Sequence, residues 1–228
     1  MTTIFQEEVN CAVCGSKQTV NEIGSTNSFG AMDLDTRPPE MRRSTMSHWV
    51  HECTECGFVA PELEKSVATD ARRVATAEYR SELERSDRVR LANRFVCRAL
   101  LNEAAGDFAS AGWRRLHAAW ACDDADQAED ARLQRLAALA LFERGRAGGV
   151  PAMKSTAGGD EVLLADLARR AGQFEQALQY CAAGLALPEV PAFVTALLML
   201  EQELVRARDT ARHSVDEAEA APRGGTVH

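Results

Sequence analysis

Two short cysteine motifs contain the residues of this chain that are best suited to chemistry. Cys11 and Cys14 form one C-x-x-C-G motif, and Cys53 and Cys56 form a second, each followed directly by glycine. Two thiolates three positions apart can bind one metal ion only where the chain turns tightly, and glycine permits the left-handed backbone of that turn. Two such motifs supply the four sulfur ligands of a closed site. The spacing therefore predicts a structural zinc ion bound by these four cysteines.

Disulfide chemistry fits the remaining cysteines poorly. The chain has seven cysteines, an odd number, and its first residues lack the basic and apolar regions of a signal peptide. We therefore expect a cytoplasmic protein with reduced cysteines. Cys97, Cys122 and Cys181 fall in helical patterns without a cysteine or histidine at ligand spacing. We interpret these three as packing residues, because a free cysteine behaves as a small apolar side chain.

Two histidines lie just before the second motif. Thirty-eight residues separate Cys14 from Cys53, more than the roughly 15–20 of a compact zinc site, so this loop must have structure of its own. Either His48 or His51 has a donor that could replace a cysteine as ligand. The alternation of residues 47–53 predicts a strand, and the simpler interpretation places both histidines on its surface or behind the metal ligands.

The segment between the motifs is the least generic part of the sequence. In an extended chain Asp33 and Asp35 face the same side, where two carboxylates can bind a cation or act as acid and base. The guanidinium groups of Arg37, Arg42 and Arg43 can bind a phosphate or carboxylate of a partner. A structural interpretation stays open beside these. In this interpretation the aspartates form turns, and the arginines neutralise the aspartates or dock the segment onto the helices.

The rest of the chain predicts a mainly α protein. Residues 1–62 contain the strand-like and turn-like sequence and are expected to form a small zinc-ribbon-like module. Residues 63–208 have apolar side chains at helical spacing, which predicts at least six helices and no strands. Five glycines in residues 145–159 indicate a break between two helical groups and the most mobile internal segment. Residues 209–228 are expected to be a partly disordered tail.

An internal repeat refines the expectation for the helices. Residues 105–111 match residues 171–177 at an offset of 66, about twice the roughly 34-residue period of tetratricopeptide repeats. In such a repeat Gly172 lies in the turn between two helices, Ala177 allows close helix crossing, and Pro188 follows the second helix. We therefore predict a tetratricopeptide-like array of stacked helix pairs, whose grooves usually bind a peptide or helix.

The combined pattern resembles a family of bacterial proteins of unknown function that have two C-x-x-C-G knuckles before tetratricopeptide-like helices. The resemblance covers roughly residues 8–190 and rests on four stretches of this sequence, Cys11-Ala-Val-Cys14-Gly15, Asp33-Leu-Asp35-Thr-Arg37-Pro-Pro39, residues 49–58 and residues 91–95. It implies the same zinc site and the same architecture. It implies no activity.

Charge and composition limit the classes of function. The chain has a net charge of -8, and residues 1–62 carry four basic against nine acidic side chains. A chain with this negative charge is expected to bind nucleic acid or an anionic membrane poorly. The leading hypothesis is a non-enzymatic adaptor or scaffold that binds a protein or peptide partner. A zinc-ribbon protein acting on nucleic acid and an enzyme using Asp33 and Asp35, or an open zinc site, are the alternatives.

Overall fold

The computed structural model of the protein describes residues 1–153 and 156–220, with side chains up to residue 218. Short antiparallel strands occupy the N-terminal region and a helical array follows, which confirms the predicted fold class. The described chain forms two compact units. The first unit comprises residues 1–29 and 40–152, and the second comprises residues 30–39 and the chain from residue 153 onwards.

The division into units differs from the predicted organisation in two respects. The expected boundary at residue 62 falls inside the first unit, where strands and helices pack together. The first unit ends and the second continues within the glycine-rich segment 145–159, between residues 152 and 153. Residues 154 and 155 of this segment lie outside the described residues. Ten residues from the loop between the two cysteine motifs belong to the second unit.

Six strands of the first unit form three antiparallel two-stranded sheets, in which the first strand pairs with the second, the third with the fourth and the fifth with the sixth. They are β1 (Thr3–Asn10), β2 (Lys17–Ser25), β3 (Ser28–Phe29), β4 (Glu40–Met41), β5 (His51–Glu52) and β6 (Val59–Ala60). The predicted strand over residues 47–53 is only partly present, because a 3-10 helix occupies Arg43–His48. Local hydrogen bonds favour that turn: the Thr45 hydroxyl donates to the Arg42 carbonyl, and the Trp49 N–H donates to the Met46 carbonyl.

Nine helices follow within the described residues. The first unit contains α1 (Asp70–Val74), α2 (Ala77–Leu83), α3 (Arg90–Ala104), α4 (Phe108–Asp124) and α5 (Ala128–Ala147). The second contains α6 (Gly159–Arg170), α7 (Phe174–Leu185), α8 (Ala192–Arg206) and α9 (Glu217–Ala220). The core of the first unit includes Phe95, Leu116, Trp120 and Phe142. In the second, Val162, Val194 and Leu198 form a buried apolar cluster.

Both copies of the internal match occupy the same place in a helix pair. Gly106 lies between α3 and α4, Gly172 lies between α6 and α7, and both have a φ of +78°. This left-handed conformation is strained for other residues and ends a helix compactly. Asp107 caps α4, since its carboxylate accepts a hydrogen bond from the Ser110 N–H at 3.1 Å. The predicted turn role of Gly172 agrees with this geometry, and the tetratricopeptide-like nature of the array stays a prediction.

Gly112, directly after the first copy of the internal match, lies where α4 crosses α5. A Cβ atom at this position would lie 2.6 Å from two atoms of the Phe142 ring. Only glycine lets α4 approach α5 this closely. The space that a side chain at position 112 would need is occupied by the ring of Phe142 from α5.

Residues 209–218 are attached to the inserted segment 30–39. The Leu34 N–H donates to the His213 carbonyl at 3.0 Å, and the Val215 N–H donates to the Met32 carbonyl at 2.9 Å. This part of the predicted tail is therefore held by backbone hydrogen bonds within the second unit. Residues 221–228, the end that is expected to be disordered, lie outside the described residues.

Candidate metal centre

Each cysteine motif is the turn of a β-hairpin. The first joins β1 to β2 and the second joins β5 to β6, and the two turns have the same backbone. The Gly15 N–H donates to the Cys11 carbonyl at 2.7 Å, and the Gly57 N–H donates to the Cys53 carbonyl at 2.9 Å. The two glycines have φ values of +75° and +71°. The left-handed conformation expected from the sequence is thus present in both turns.

The two turns bring the four sulfur atoms together. Cys11 Sγ lies 3.7 Å from Cys56 Sγ, and Cys14 Sγ lies 3.6 Å from Cys53 Sγ. All four lie within 4.8 Å of one another. With a Zn–S bond of about 2.3 Å, the edge of a tetrahedron of sulfurs is about 3.8 Å. These four cysteines, called the four-cysteine cluster below, can therefore hold a metal ion.

A chain of polar side chains supports the four-cysteine cluster from behind. The Ser16 hydroxyl lies 3.0 Å from Cys14 Sγ and 3.3 Å from Cys53 Sγ. Gln18 donates from Nε2 to Ser16 Oγ at 3.0 Å, and its Oε1 accepts from both the N–H and the hydroxyl of Thr54 at 3.1 Å. Gln18 is buried. Its amide thus links the first hairpin to the second and fixes the hydroxyl that contacts two sulfurs, as supporting side chains do around metals.

The environment of the thiols is uneven. Cys11 and Cys53 are buried, whereas Cys14 is exposed. The hydrogen bond from the Ser16 hydroxyl lowers the pKa of Cys14 to about 6. Burial raises the pKa of Cys11 and of Cys56. A cation is needed to hold all four sulfurs as thiolates at neutral pH, so metal binding releases protons from this cluster.

Helix α2 supports the second hairpin directly. The Tyr79 phenol donates to the Gly57 carbonyl at 2.9 Å and accepts from the Val59 N–H at 3.1 Å. A Cβ at Gly57 would lie 2.8 Å from both Leu83 Cδ2 and Arg80 Nη1. The first hairpin is attached to the loop before α1. The Ala12 N–H donates to the carbonyl of Leu63, a buried residue of this loop, at 2.8 Å.

Neither histidine before the second motif belongs to the four-cysteine cluster. His51 Nε2 lies 2.9 Å from Glu22 Oε1, and His48 ends the 3-10 helix. Across residues 1–153 and 156–220, the four-cysteine cluster is the one group of three or more Cys, His, Asp or Glu side chains close enough to share a metal ion. The simpler interpretation of both histidines agrees with these positions.

The remaining cysteines are buried in helices. Cys97 lies in α3, Cys122 in α4 and Cys181 in α7. Burial raises the pKa of Cys97 and Cys181 to about 12 and that of Cys122 to about 11. Such thiols stay protonated and unreactive at neutral pH, in keeping with their predicted packing role.

The residues singled out between the motifs are divided between the two units. Asp33, Asp35 and Arg37 are buried in the second unit, and Arg42 and Arg43 belong to the first. Arg170 Nη1 of α6 lies 2.9 Å from Asp35 Oδ2, and the Arg37 N–H donates to Asp35 Oδ1 at 3.2 Å. The segment is thus docked onto α6 through the Asp35 carboxylate. This favours the structural interpretation of Asp33, Asp35 and Arg37, since their burial leaves little surface for a partner.

A buried ionic network in the second unit was missed by the sequence analysis. Arg169 donates to Asp166 Oδ1 at 2.6 Å and to Glu201 Oε2 at 2.8 Å, and all three are buried. Its Nη1 also donates to the carbonyls of Asp209 and Ala211 at 2.9 Å. The i,i+3 spacing of Asp166 and Arg169, which are separated by apolar residues in α6, is the signal in the sequence. The network anchors residues 209–211 to α6 and α8.

The second unit also contains an apolar cavity of about 340 Å³. Met32, Leu34, Val162, Phe193 and Leu197 are among its lining residues. Phe193 is 61% exposed and Met32 is 46% exposed, so the cavity opens beside apolar surface. Its walls come from the inserted segment, α6, α8 and the residues before α9, which lie far apart in sequence. No periodic pattern could therefore have revealed it.

The fold and the site together define a mainly helical protein with a four-cysteine cluster that can hold a metal ion. No family model, curated protein or solved structure matches the chain. Within the described residues, no helix has both the length and the apolar character needed to cross a bilayer.

Proposed function

We propose that the protein is a non-enzymatic adaptor in which zinc, bound by the four-cysteine cluster, holds the N-terminal hairpins against helices α1–α3. The observation that carries the proposal is the set of four sulfur donors, which all lie within 4.8 Å of one another and include two pairs at 3.6 and 3.7 Å. A catalytic zinc ion keeps one coordination position open for water or substrate, and four cysteine ligands leave none. The metal's role in this proposal is to stabilise a binding surface.

Zinc is favoured by the donor set and by the surroundings. Tetrahedral thiolate sites select zinc or iron, and neutral hydrogen bonds join this one to the protein around Cys14 and Cys53. Ser16 and Gln18 supply those hydrogen bonds, and neither is an ionisable group. The same arrangement of knuckles before helices is the basis on which we propose kinship with the bacterial family that the sequence resembles.

The interaction role is supported by apolar surface that the fold leaves uncovered. The cavity of the second unit has the volume and the mainly apolar lining of binding pockets in general. Phe193 lies at its margin and is 61% exposed, so together with Met32 it extends the apolar surface beside the cavity.

The metal part of the proposal is tested by metal analysis of the purified full chain. We expect about one zinc ion per chain, which the double variant Cys53→Ser/Cys56→Ser loses. Cys122→Ser is the matched control, because this thiol is buried in the same unit but outside the four-cysteine cluster. Iron in place of zinc, or zinc retained by the double variant, would contradict the proposal.

The adaptor part is tested by affinity capture from native extract, with the wild type beside the double variant. A stoichiometric protein partner is the expected result, and its loss from the double variant would assign the contact to the zinc-bearing unit. Nucleic acid retained at about 0.15 M salt, with no protein partner, would favour the ribbon alternative instead.

A further inference from the structure

The outer edge of strand β1 is a second surface that the fold leaves uncovered. β1 is eight residues long and pairs along one side with β2. Within the described part of the chain no strand pairs with its other side. In an antiparallel ladder alternate residues direct their N–H and C=O groups outward, so about half of β1 presents unpaired backbone groups.

This edge has only part of the usual protection, two glutamates and a register shift between Thr3 and Ile4. Residues 3–8 are all exposed, and Ile4 and Phe5 are 50% and 51% exposed. The strand contains neither proline nor lysine, the residues that most often block an edge. A long edge of this kind with apolar side chains is a template for another strand.

The charges of β1 are unequally distributed along it. Its first half is uncharged, and its second half contains Glu7 and Glu8. Lys17 Nζ lies 2.7 Å from Glu8 Oε2, whereas Glu7 has no ion-pair partner among residues 1–153 and 156–220. The second half of β1 therefore favours basic side chains opposite it, and the first half favours apolar ones.

We propose that the edge of β1 binds an extended basic peptide segment of a partner protein as an added antiparallel strand. In that orientation basic residues in the peptide's N-terminal half lie opposite Glu7 and Glu8, and β-branched residues in its C-terminal half lie opposite Ile4 and Phe5. A second copy of β1 fits less well, because each copy brings two carboxylates and no basic residue. This inference rests on the interaction role proposed above and names the partner's chemistry.

The test uses the zinc-loaded full chain, labelled with nitrogen-15, and the synthetic peptide Thr-Lys-Lys-Arg-Thr-Val-Ile-Thr. We expect binding with a Kd of ~1 mM or tighter, with amide shift changes concentrated in residues 3–10. Intermolecular NOEs between backbone protons of the two strands should define the antiparallel register. A peptide with glutamate at the three basic positions should bind at least about tenfold more weakly.

A charge exchange makes the test specific. Glu7→Lys should weaken binding of the basic peptide about tenfold and improve binding of the glutamate peptide. Glu64→Lys is the matched control, since it makes the same charge change at an exposed position of the same unit outside β1. Equal binding by wild type and Glu7→Lys, or shift changes away from β1, would overturn the inference. So would a dimer of the free chain that Glu7→Lys dissociates, because the occupant would then be a second copy.

Failure of this inference is distinguishable from failure of the proposed function. A native partner that is captured equally well by wild type and Glu7→Lys leaves the adaptor role standing and removes β1 from it. A wild-type chain that captures no protein partner removes the adaptor role itself.

Discussion

The phenolic oxygen of Tyr79 lies 2.9 Å from the carbonyl oxygen of Gly57, the glycine that completes the second cysteine motif. The same oxygen accepts a hydrogen bond from the Val59 N–H at 3.1 Å. One side chain of α2 thus satisfies two backbone groups of the metal-binding hairpin. The four-cysteine cluster and the helices of the first unit are therefore coupled, and loss of metal is expected to affect both.

Removal of the metal should loosen the first unit selectively. Because the described contacts of the four-cysteine cluster all lie in this unit, chelation should increase amide exchange in β1, β2, β5, β6 and α2. Helices α6–α8 should exchange as before. Hydrogen exchange with mass spectrometry, with and without chelator, measures this. Complete loss of helical circular dichroism on chelation would contradict it.

Tyr79→Phe should destabilise the first unit by about 1–3 kcal/mol, because it leaves a buried N–H and a buried carbonyl without a partner. The three tryptophans, Trp49, Trp113 and Trp120, all lie in the first unit, so their fluorescence during urea unfolding reports on that unit. Tyr180→Phe, in the second unit, is the control and should leave this transition unchanged. An unchanged urea midpoint in Tyr79→Phe would show that the hydrogen bonds contribute nothing.

The two glycines that complete the motifs should differ in their tolerance of alanine. Gly15→Ala meets no atom within 4 Å and has only the cost of the left-handed backbone, roughly 1–2 kcal/mol. Gly57→Ala has the same backbone cost and also places Cβ 2.8 Å from Leu83 and Arg80. Zinc retention against a colorimetric chelator should therefore fall further in Gly57→Ala. The reverse order would exclude the packing of α2 on this turn.

A partly buried histidine among aromatic rings should make the first unit sensitive to mild acid. His117 packs edge-on against Trp49 and Phe95 with ring centroids 5.2 Å apart. Burial, with the nearby Arg114 cation, lowers the pKa of His117 to about 3. In the unfolded chain its pKa is about 6.5, so below that pH the unfolded state takes up a proton that the folded state does not. The free energy of unfolding of the first unit is therefore not reduced by His117 above pH 6.5. It falls by up to about 1.4 kcal/mol per pH unit as the pH decreases towards 3.

His117→Phe keeps an aromatic ring in place and should reduce this loss between pH 6.5 and 5. Urea unfolding followed by tryptophan fluorescence at several pH values measures it. His48→Gln is the control, because His48 is not enclosed by aromatic rings, and it should keep the wild-type slope. The interpretation fails if His117→Phe and the wild type have the same pH dependence.

Arg169→Met should destabilise the second unit by about 3–5 kcal/mol, since it leaves the buried carboxylates of Asp166 and Glu201 without their cation. It should also release residues 209–211, because the carbonyls of Asp209 and Ala211 accept hydrogen bonds from Arg169. Hydrogen exchange in peptides covering α8 and residues 209–218 measures both effects. Arg132→Met removes an exposed pair with Glu129 and should change stability by about 1 kcal/mol or less. Similar results for the two variants would contradict the anchoring role of Arg169.

The sequence by itself determined the four-cysteine cluster and the mainly helical class. The motif Cys11 to Gly15 is a local signal, because a tight turn between two ligands constrains spacing and backbone conformation within five residues. Helical periodicity is local in the same sense. The turn role of Gly172 also followed from its immediate neighbours.

Only the tertiary structure decided which distant segments share a core. Asp35 pairs with Arg170 across 135 positions of the chain, and this contact places the segment between the motifs in the second unit. The aromatic enclosure of His117 and the apolar cavity likewise combine residues from separate elements. Such contacts depend on the shape of packed surfaces, and no residue spacing along the chain encodes that shape locally.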